Sequence, residues 1–220
     1  MSLEIFWASG SPYAWRVMLA LELKRVPYEA KLLEFSKGQT RTPEFLALNP
    51  RGKVPVLRDG DLVLAESTAI LTYLDRKFPD PPLFGRTAEE TGRIWSAISE
   101  FDSYMRDPLA AIHRWVFGGD KPRTPEVDEA HGKVMAELAR LETRIGSGPW
   151  LVPSGDAPTA ADVVWFPGMR TIIRGGVRAE PRARELGLFP FVERFPNIGA
   201  WIARVEALPG YDNTFPTHWR

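Results

Sequence analysis

The sequence predicts a small α/β domain followed by an all-α domain. Segments with strand and helix patterns alternate over residues 1–79, as in a small sheet covered by helices. The proline-rich segment Pro79-Asp80-Pro81-Pro82 then forms a stiff break. After this break the strand patterns disappear and long helical patterns follow. We therefore expect an α/β domain at 1–79, a linker at 80–88 and a helical-bundle domain at 89–220.

The first elements follow the order strand, helix, strand. Leu3–Ala8 is a short apolar strand, which the segment Ser9-Gly10-Ser11-Pro12 ends. The apolar residues of Tyr13–Lys24 predict a helix that is buried on most of its sides. Tyr28–Leu33 is the second strand. Because a helix connects the two strands, we expect them to pair in parallel.

The rest of the α/β domain contains a short helix, a hairpin and a longer helix. Thr42–Leu48 predicts the short helix, which ends at the Asn-Pro pair that follows it. Val54–Leu57 and Leu62–Leu64 flank an Asp-Gly pair, which is a good hairpin signal. Ser67–Phe78 carries its apolar residues on one face of a helix.

The second domain is predicted from long helical patterns. They cover Glu89–Phe117, Pro125–Ile145, Thr159–Ile173 and Asn197–Leu208. Thr159 and Asp162 form a capping box with Asp in place of Glu, and we assign them a structural role. Four aromatic residues on these segments are expected mainly in the core, namely Tyr104, Trp115, Phe117 and Trp165.

The composition excludes several classes of function. Lys plus Arg and Asp plus Glu number 28 each and are interspersed, so nucleic-acid binding has little support. No segment approaches the roughly 20 apolar residues of a membrane helix, and the N-terminus lacks the pattern of a signal peptide. We therefore expect a cytoplasmic protein that does not bind membranes. The chain contains no cysteine, which excludes disulfides, cysteine nucleophiles and Cys-based metal sites. We expect no metal, and any reactive thiol must belong to the ligand.

Ser11, followed by proline, is the first candidate for chemistry. A Ser-Pro pair is a common start of a helix, so the ordinary interpretation of Ser11 is an N-cap. Alternatively, its hydroxyl donates a hydrogen bond to an anion at the positive end of the helix. A ligand thiol in that position gains thiolate character. The histidines His113, His131 and His218 all lie far downstream, so a Ser-His-acid hydrolase has little support.

The pairs Val54-Pro55 and Glu66-Ser67 are candidates for ligand binding. Proline in a strand pattern marks an edge or a bulge, and sequence alone leaves the trans and cis forms of this bond open. If the backbone of Val54 faces outward, it can pair with an extended peptide. Ser67 is ordinarily an N-cap, but a hydroxyl and free N–H groups at a helix start also bind a carboxylate. Glu66 beside it can hold an ammonium group.

Together these segments resemble the soluble glutathione transferase superfamily over nearly the whole chain. The motifs that carry the resemblance are S-P-Y-A-W-R-V (11–17), N-P-R-G-K-V-P-V-L (49–57), A-E-S-T-A-I (65–70), T-A-A-D-V-V-W-F-P (159–167) and F-P-N-I-G-A-W-I-A-R-V (195–205). The resemblance implies a thioredoxin-like N-terminal domain with a cis Pro55 and an all-α C-terminal domain. It also implies glutathione as cosubstrate, a small electrophilic partner substrate and a homodimer.

The resemblance also implies a role for each candidate residue. Ser11 would stabilise the glutathione thiolate, and Val54, held by Pro55, would pair with the cysteinyl backbone. Glu66 and Ser67 would bind the γ-glutamyl end. The last two candidates, Arg41 and Lys53, would meet the glycyl carboxylate.

Two departures from related motifs narrow the class. Phe6 and Trp7 stand where tyrosine-type enzymes carry their catalytic tyrosine, and no cysteine stands at position 11. A serine-type glutathione transferase is therefore the leading hypothesis. The segment around Ser11 is also similar to the zeta-type isomerase motif, but Pro12-Tyr13 replace its Ser-Cys. Three alternatives remain open: a glutathione-dependent isomerase, a dehalogenase, and a non-catalytic protein that binds glutathione or apolar ligands.

Overall fold

The computed structural model describes residues 3–119, 121–146, 148–178 and 180–219. Its contacts divide the chain into two compact units, Met1–Phe84 with Leu208–Arg220 and Gly85–Ala207. The sequence assigned the C-terminal segment to the helical domain, but this segment packs with the α/β part because its aromatic residues contact the first helix. The domain boundaries expected from the sequence, with domains at 1–79 and 89–220 and a linker at 80–88, stay a prediction.

The first unit contains a four-stranded mixed sheet. Its strands are β1 (Leu3–Trp7), β2 (Tyr28–Leu32), β3 (Val56–Asp59) and β4 (Leu62–Ala65), in the order β2-β1-β3-β4. β1 and β2 are parallel, as predicted from the helix that connects them. β3 is antiparallel to both β1 and β4. The predicted hairpin is confirmed, since β3 and β4 pair across the turn at Gly60.

Three helices accompany this sheet: α1 (Pro12–Leu23), α2 (Pro43–Leu48) and α3 (Ser67–Lys77). The side chains of Ser11 and Thr42 cap α1 and α2, and each is followed by a proline in the first turn. This arrangement satisfies one backbone N–H of each helix start, and proline lacks a further N–H that would need a partner. The N-cap interpretation of Ser11 is therefore confirmed.

A buried lysine ties α1 to α3 and to the chain that follows it. Every residue from Ala14 to Leu21 is buried, and Lys24, at the C-cap of α1, is buried as well. The Lys24 ammonium donates to Asp75 Oδ1 at 2.9 Å and to the carbonyls of Phe78 and Pro81 at 2.6 and 2.8 Å. A buried charge is tolerated only when it is paired and hydrogen-bonded, and these acceptors meet that need.

The second unit is all-helical over its described residues, so the predicted fold class is confirmed. Its helices are α4 (Ala88–Glu100), α5 (Arg106–Val116), α6 (Pro125–Ile145), α7 (Ala160–Arg178), α8 (Glu180–Glu185), α9 (Phe191–Arg194) and α10 (Pro196–Glu206). Within the described ranges no helix is both long and apolar enough to cross a membrane.

The helix predicted over Glu89–Phe117 is confirmed, but it contains a π-helical turn that the sequence did not predict. A π-helical turn at Phe101–Met105 separates α4 from α5, and the N–H of Arg106 donates to the carbonyl of Phe101. A π turn adds one residue to the helix. The turn keeps both Phe101 and Met105 buried, and hydrophobic periodicity does not reveal a single added residue.

Two other expectations for the second unit needed correction. α7 continues past Ile173 to Arg178. It also contains Pro167, which removes one backbone hydrogen bond without ending the helix. Among the aromatic residues, Trp115 and Trp165 are buried, whereas Tyr104 and Phe117 are 60% and 40% exposed. Helical spacing by itself did not separate the two pairs.

The start of α7 is organised by a buried carboxylate. Asp162 is 1% exposed, and its Oδ2 accepts from the N–H and the hydroxyl of Thr159 at 2.8 and 3.0 Å. Its Oδ1 accepts from Leu151 N and Trp201 Nε1, both at 2.9 Å. Burial raises the pKa of this carboxyl, and the donors oppose the rise. The structural role predicted for Thr159 and Asp162 is confirmed.

The chain ends in the first unit with α11 (Tyr211–Thr214) and a 3₁₀ turn at Thr217–Trp219. These short elements were not predicted. They contain too few residues to show a hydrophobic period, and their positions depend on packing against α1.

Candidate functional site

The candidate catalytic serine lies in the loop between β1 and α1. The N–H of Ser11 donates to the carbonyl of Ala8 at 3.0 Å, and its hydroxyl oxygen accepts from Ala14 N at 3.2 Å. A serine hydroxyl has one hydrogen to donate in addition to its acceptor lone pairs. Capping uses a lone pair only, so the hydrogen stays available to a ligand. The two interpretations of Ser11 are therefore compatible.

The Val54-Pro55 turn precedes β3. The peptide bond between these residues is cis, as the family resemblance implied. The Val54 side chain is buried, whereas its backbone N–H and C=O have no hydrogen-bond partner among the described residues. An unpaired donor and acceptor on one residue match the hydrogen-bonding pattern of an extended peptide.

A side-chain network that the sequence did not reveal holds the chain before this turn. Buried Asn49 donates from Nδ2 to the carbonyl of Lys53 at 2.7 Å and accepts from Arg51 N at 3.2 Å. Gly52 has a φ of +60°, and a Cβ atom there would lie 2.7 Å from Arg41 Nη1. Asn followed by Gly three residues later is the only signal for this loop in the sequence, and it is a weak one.

The Glu66-Ser67 pair begins α3, but Ser67 is not its N-cap. Glu66 occupies the cap position with φ 70° and ψ 111°, and Ser67 is the first helical residue. The N-cap interpretation of Ser67 was therefore wrong, because backbone conformation at Glu66 shifts the helix start by one residue. Ser67 is 7% exposed, and its hydroxyl has no hydrogen-bond partner in the described part of the chain. The first N–H groups of α3 also lack intrahelical partners.

The positive φ of Glu66 is rare for a residue with a side chain. Such a conformation costs on the order of 1–3 kcal/mol and is concentrated at ligand sites and active sites. Glu66 is exposed, and no capping hydrogen bond from its side chain offsets this cost. The conformation therefore marks Glu66 as a candidate for binding.

The register of the sheet brings these segments together. Val56 lies opposite Phe6 on β1 and opposite Ala65 on β4. Since neighbouring strands lie about 4.8 Å apart, the residues before Val56 lie beside the end of β1 and beside Glu66. The Val54 turn and the start of α3 therefore lie at the same edge of the sheet.

The start of α1 belongs to the same neighbourhood. Trp7, Ala8, Ala14 and Val54 are members of one buried cluster. Ala14 is also the residue whose N–H is capped by Ser11. Packing therefore places the Ser11 loop next to the Val54 turn.

The two predicted cations lie at the loop that follows Asn49. Arg41 is exposed and its Nη1 donates to the carbonyl of Arg51 at 3.4 Å. Lys53 is also exposed. The contact between Arg41 and the 51–52 backbone brings both cations to the loop that precedes Val54.

One histidine is much closer to the site than its sequence position indicates. His218 Nδ1 lies 2.6 Å from Ser9 Oγ, and its ring covers Gly10. The sequence placed all three histidines far from Ser11. No sequence signal could reveal this contact, because the partners are 209 residues apart.

Comparison with known proteins identifies the family. Residues 10–77 match the family model described as glutathione S-transferase, N-terminal domain, and residues 124–204 match glutathione S-transferase, C-terminal domain. Glutathione S-transferase 1 of Dianthus caryophyllus is 51% identical over 174 residues, which cover 79% of this chain and 78% of that relative. The chain belongs to the glutathione S-transferase family.

Solved structures of this family have the same fold. A glutathione S-transferase of the Antarctic clam Laternula elliptica matches with a TM-score of 0.85 and 29% identity, covering 100% of this chain and 94% of that one. Glutathione S-transferase I bound with lactoylglutathione matches with a TM-score of 0.77 and 27% identity, covering 97% and 98%. The predicted thioredoxin-like and helical architecture is thereby confirmed.

For a glutathione S-transferase, the site described above has a simple chemical character. It offers hydroxyl and N–H donors at two helix starts, one open backbone pair, one exposed carboxylate and two exposed cations. Among the residues described, no group of three or more His, Asp or Glu side chains is placed to hold a metal ion. The donors and charges instead match a peptide that carries a carboxylate at each end, an ammonium group and a central thiol.

Proposed function

We propose that this protein is a serine-type glutathione transferase that conjugates glutathione to an electrophilic, largely apolar substrate. The observation that carries the proposal is Ser11, whose oxygen caps α1 while its hydrogen stays available. The glutathione thiol loses its proton to solvent, and the thiolate receives a hydrogen bond from Ser11. Its sulfur then forms a bond to the electrophilic carbon, and the leaving group departs with its electron pair.

Two physical effects support the role of Ser11. A hydrogen bond to a charged group is worth roughly 1.5–3 kcal/mol, which corresponds to about one to two pKa units of the thiol. The N-terminus of α1 also carries a partial positive charge that favours an anion. Both effects act on the thiolate and not on the neutral thiol, so they lower the thiol pKa.

The rest of glutathione is bound, in this proposal, along the sheet edge. The cysteinyl backbone pairs with the open N–H and C=O of Val54, next to Pro55. Ser67 and the first N–H groups of α3 receive the γ-glutamyl carboxylate, and Glu66 receives its ammonium group. The glycyl carboxylate lies toward Arg41 and Lys53. Their order along the edge, from Glu66 across Val54 to the Asn49 loop, supports this orientation.

Substitution of Ser11 tests the catalytic assignment. Ser11→Ala removes the donor and the cap, Ser11→Gly removes the donor with little loss of capping, and Ser11→Thr keeps both. The thiolate absorbance of bound glutathione is followed against pH, with binding measured by calorimetry. We expect the titration of Ala and Gly variants to shift upward by about one to two units, with binding largely intact, while Thr resembles the natural protein.

Each other result has a defined meaning. An unchanged thiol titration in both the Ala and Gly variants would contradict the role of Ser11. If the natural protein binds glutathione whose thiol stays protonated at neutral pH, the protein is a non-catalytic carrier. If thiolate forms but no conjugate does, a panel of isomerase and dehalogenase substrates identifies the reaction instead.

We also propose that the protein is cytoplasmic, as expected from its sequence, and that it is a homodimer, as the family resemblance implies. Exposed aromatic side chains on the second unit, Trp95 and Tyr104 among them, support a contact surface. Light scattering during gel filtration should give twice the chain mass of 24.8 kDa. A monomer mass at micromolar concentration would contradict the dimer.

A further inference from the structure

The C-terminal segment 211–219, which we call the strap, follows α1 toward the Ser11 loop. Near the end of α1, Asn213 Nδ2 donates to Glu22 Oε2 at 3.1 Å. Further along, buried Trp15 Nε1 donates to Thr214 Oγ1 at 2.8 Å. The Trp15 ring also meets the ring of Trp219 edge-on, with centroids 5.4 Å apart. The strap therefore runs from the last turn of α1 to its first turn.

The strap ends on the loop that carries Ser11. His218 Nδ1 lies 2.6 Å from Ser9 Oγ. Gly10 has a φ of +84°, and a Cβ atom at this position would lie 2.7 Å from His218 Cε1. The imidazole is thus in contact with the two residues that precede Ser11, and only glycine allows the ring to come this close.

The hydrogen bonds define which ring nitrogen of His218 carries the proton. Trp219 Nε1 lies 3.1 Å from His218 Nε2, and an indole N–H can only donate. Nε2 therefore accepts and carries no proton. The proton of the neutral ring is on Nδ1, which donates to the Ser9 hydroxyl oxygen.

We propose that His218 is a positioning residue that holds the Ser9-Gly10-Ser11 loop in the conformation that presents the Ser11 hydroxyl to glutathione. This inference rests on the function proposed for Ser11. A loop with a glycine at positive φ samples many conformations, and ordering it during binding costs affinity. The bond from His218 restricts the loop before glutathione arrives. Because a small displacement of the Ser11 hydroxyl steeply weakens its hydrogen bond to the thiolate, the restricted loop also favours formation of the thiolate.

The stability of the strap and the positioning of the loop depend on different residues. The strap is anchored by the buried Trp15–Thr214 bond and by its aromatic contacts. The His218–Ser9 bond is exposed to solvent, so its loss changes the folding free energy little. A change in thiolate formation without a change in melting temperature therefore distinguishes positioning from structural support.

The experiment uses the full chain with glutathione alone as the probe. His218→Ala and Ser9→Ala each remove the bond. His218→Asn keeps an N–H donor, because the amide Nδ2 of asparagine is bonded to Cγ and lies close to the position of the histidine Nδ1. Asn213→Ala is the matched control, since it removes one exposed hydrogen bond at the other end of the strap. Calorimetry gives the dissociation constant, and ultraviolet absorbance gives the thiolate fraction against pH.

We expect His218→Ala and Ser9→Ala to weaken glutathione binding roughly two- to ten-fold, the factor for one ordinary hydrogen bond, and to move thiolate formation to higher pH. The double variant should be no worse than either single variant, because both remove the same bond. His218→Asn should restore binding, and Asn213→Ala should match the natural protein. If His218→Ala does not fold, Ser9→Ala and His218→Asn decide the question by the same criteria.

Three results would overturn the inference. They are an unchanged titration and affinity in His218→Ala, additive losses in the double variant, and an equal loss in Asn213→Ala. Failure of the proposed function looks different. In that case the natural protein itself forms no thiolate, or Ser11→Ala leaves the titration unchanged. If Ser11→Ala shifts the titration and His218→Ala does not, only the role of His218 is refuted.

Discussion

Glu66 allows the cost of a strained backbone to be separated from its benefit in binding. Its φ of 70° and ψ of 111° disfavour any residue with a Cβ atom. Glu66→Gly removes this strain, whereas Glu66→Ala keeps the strain and removes the carboxylate. The two variants share the loss of the side-chain charge, so their difference in stability reports the backbone alone.

The expected magnitudes follow from the conformation and the exposure of Glu66. Relief of strain is worth on the order of 1–3 kcal/mol, and the added freedom of glycine in the unfolded chain offsets about 0.4–1 kcal/mol. Glu66→Gly should therefore be more stable than Glu66→Ala by about 1 kcal/mol, a rise of about 2–4 °C in the melting temperature. Because Glu66 is exposed, its contact with the glutathione ammonium should be worth about 1 kcal/mol, or roughly five-fold in affinity.

The assays are thermal unfolding and calorimetric titration with glutathione. Both variants should bind glutathione less tightly than the natural protein, and Glu66→Gln, which keeps the length of the side chain, should separate charge from shape. If Glu66→Gly melts at or below the temperature of Glu66→Ala, the backbone is not strained. If Glu66→Ala binds glutathione as tightly as the natural protein, Glu66 does not contact the ligand.

Other perturbations test the framework around the site. Asp162→Ala leaves several buried donors unpaired and should cost about 3–5 kcal/mol in urea unfolding, whereas the isosteric Asp162→Asn should cost less. A loss below 1 kcal/mol in Asp162→Ala would contradict the role of this carboxylate in organising the start of α7. Lys24→Met leaves Asp75 without its buried partner and should cost a similar 3–5 kcal/mol; equal stability would show that the ammonium is not needed. Hydrogen bonds, first from Lys77, hold the pKa of Asp59 below its usual value. This contribution to stability is present above the unfolded pKa of about 3.9 and is lost as the pH falls through the lowered folded value. The urea midpoints of the natural protein and Asp59→Asn should therefore converge as the pH falls through the lowered folded pKa of Asp59, and a constant difference would contradict the linkage.

Local chemistry explains why much of the fold was predictable. Ser11 and Thr42, each followed by proline, start helices because their side chains satisfy backbone N–H groups within a few residues. The hairpin at Gly60 follows from turn chemistry, and the parallel pair β1–β2 follows from the handedness of a strand-helix-strand unit. These rules act over short distances along the chain, so one sequence is enough to apply them.

The errors have a common physical origin. Ser67 was assigned to the cap of α3, but a positive φ at Glu66 moved the helix start, and no residue type forces that conformation. The π turn at Phe101–Met105 adds one residue inside the predicted helix, and the amphipathic pattern does not show it. In each case the backbone follows a requirement of packing or of the site, and local preference is overruled.

Sequence was sufficient for the family and the fold class, and it indicated which residues we propose to bind glutathione. Their assignment depends on motifs and on helix and turn chemistry within short segments. Only the tertiary structure showed the strain at Glu66, the network around Asn49 and the contact between His218 and Ser9. The last contact joins residues that are far apart in the sequence because the aromatic rings of the strap pack against Trp15 of α1. Packing is a property of the whole folded unit, so no pattern within the Ser9 loop or within the strap could predict that the two are in contact.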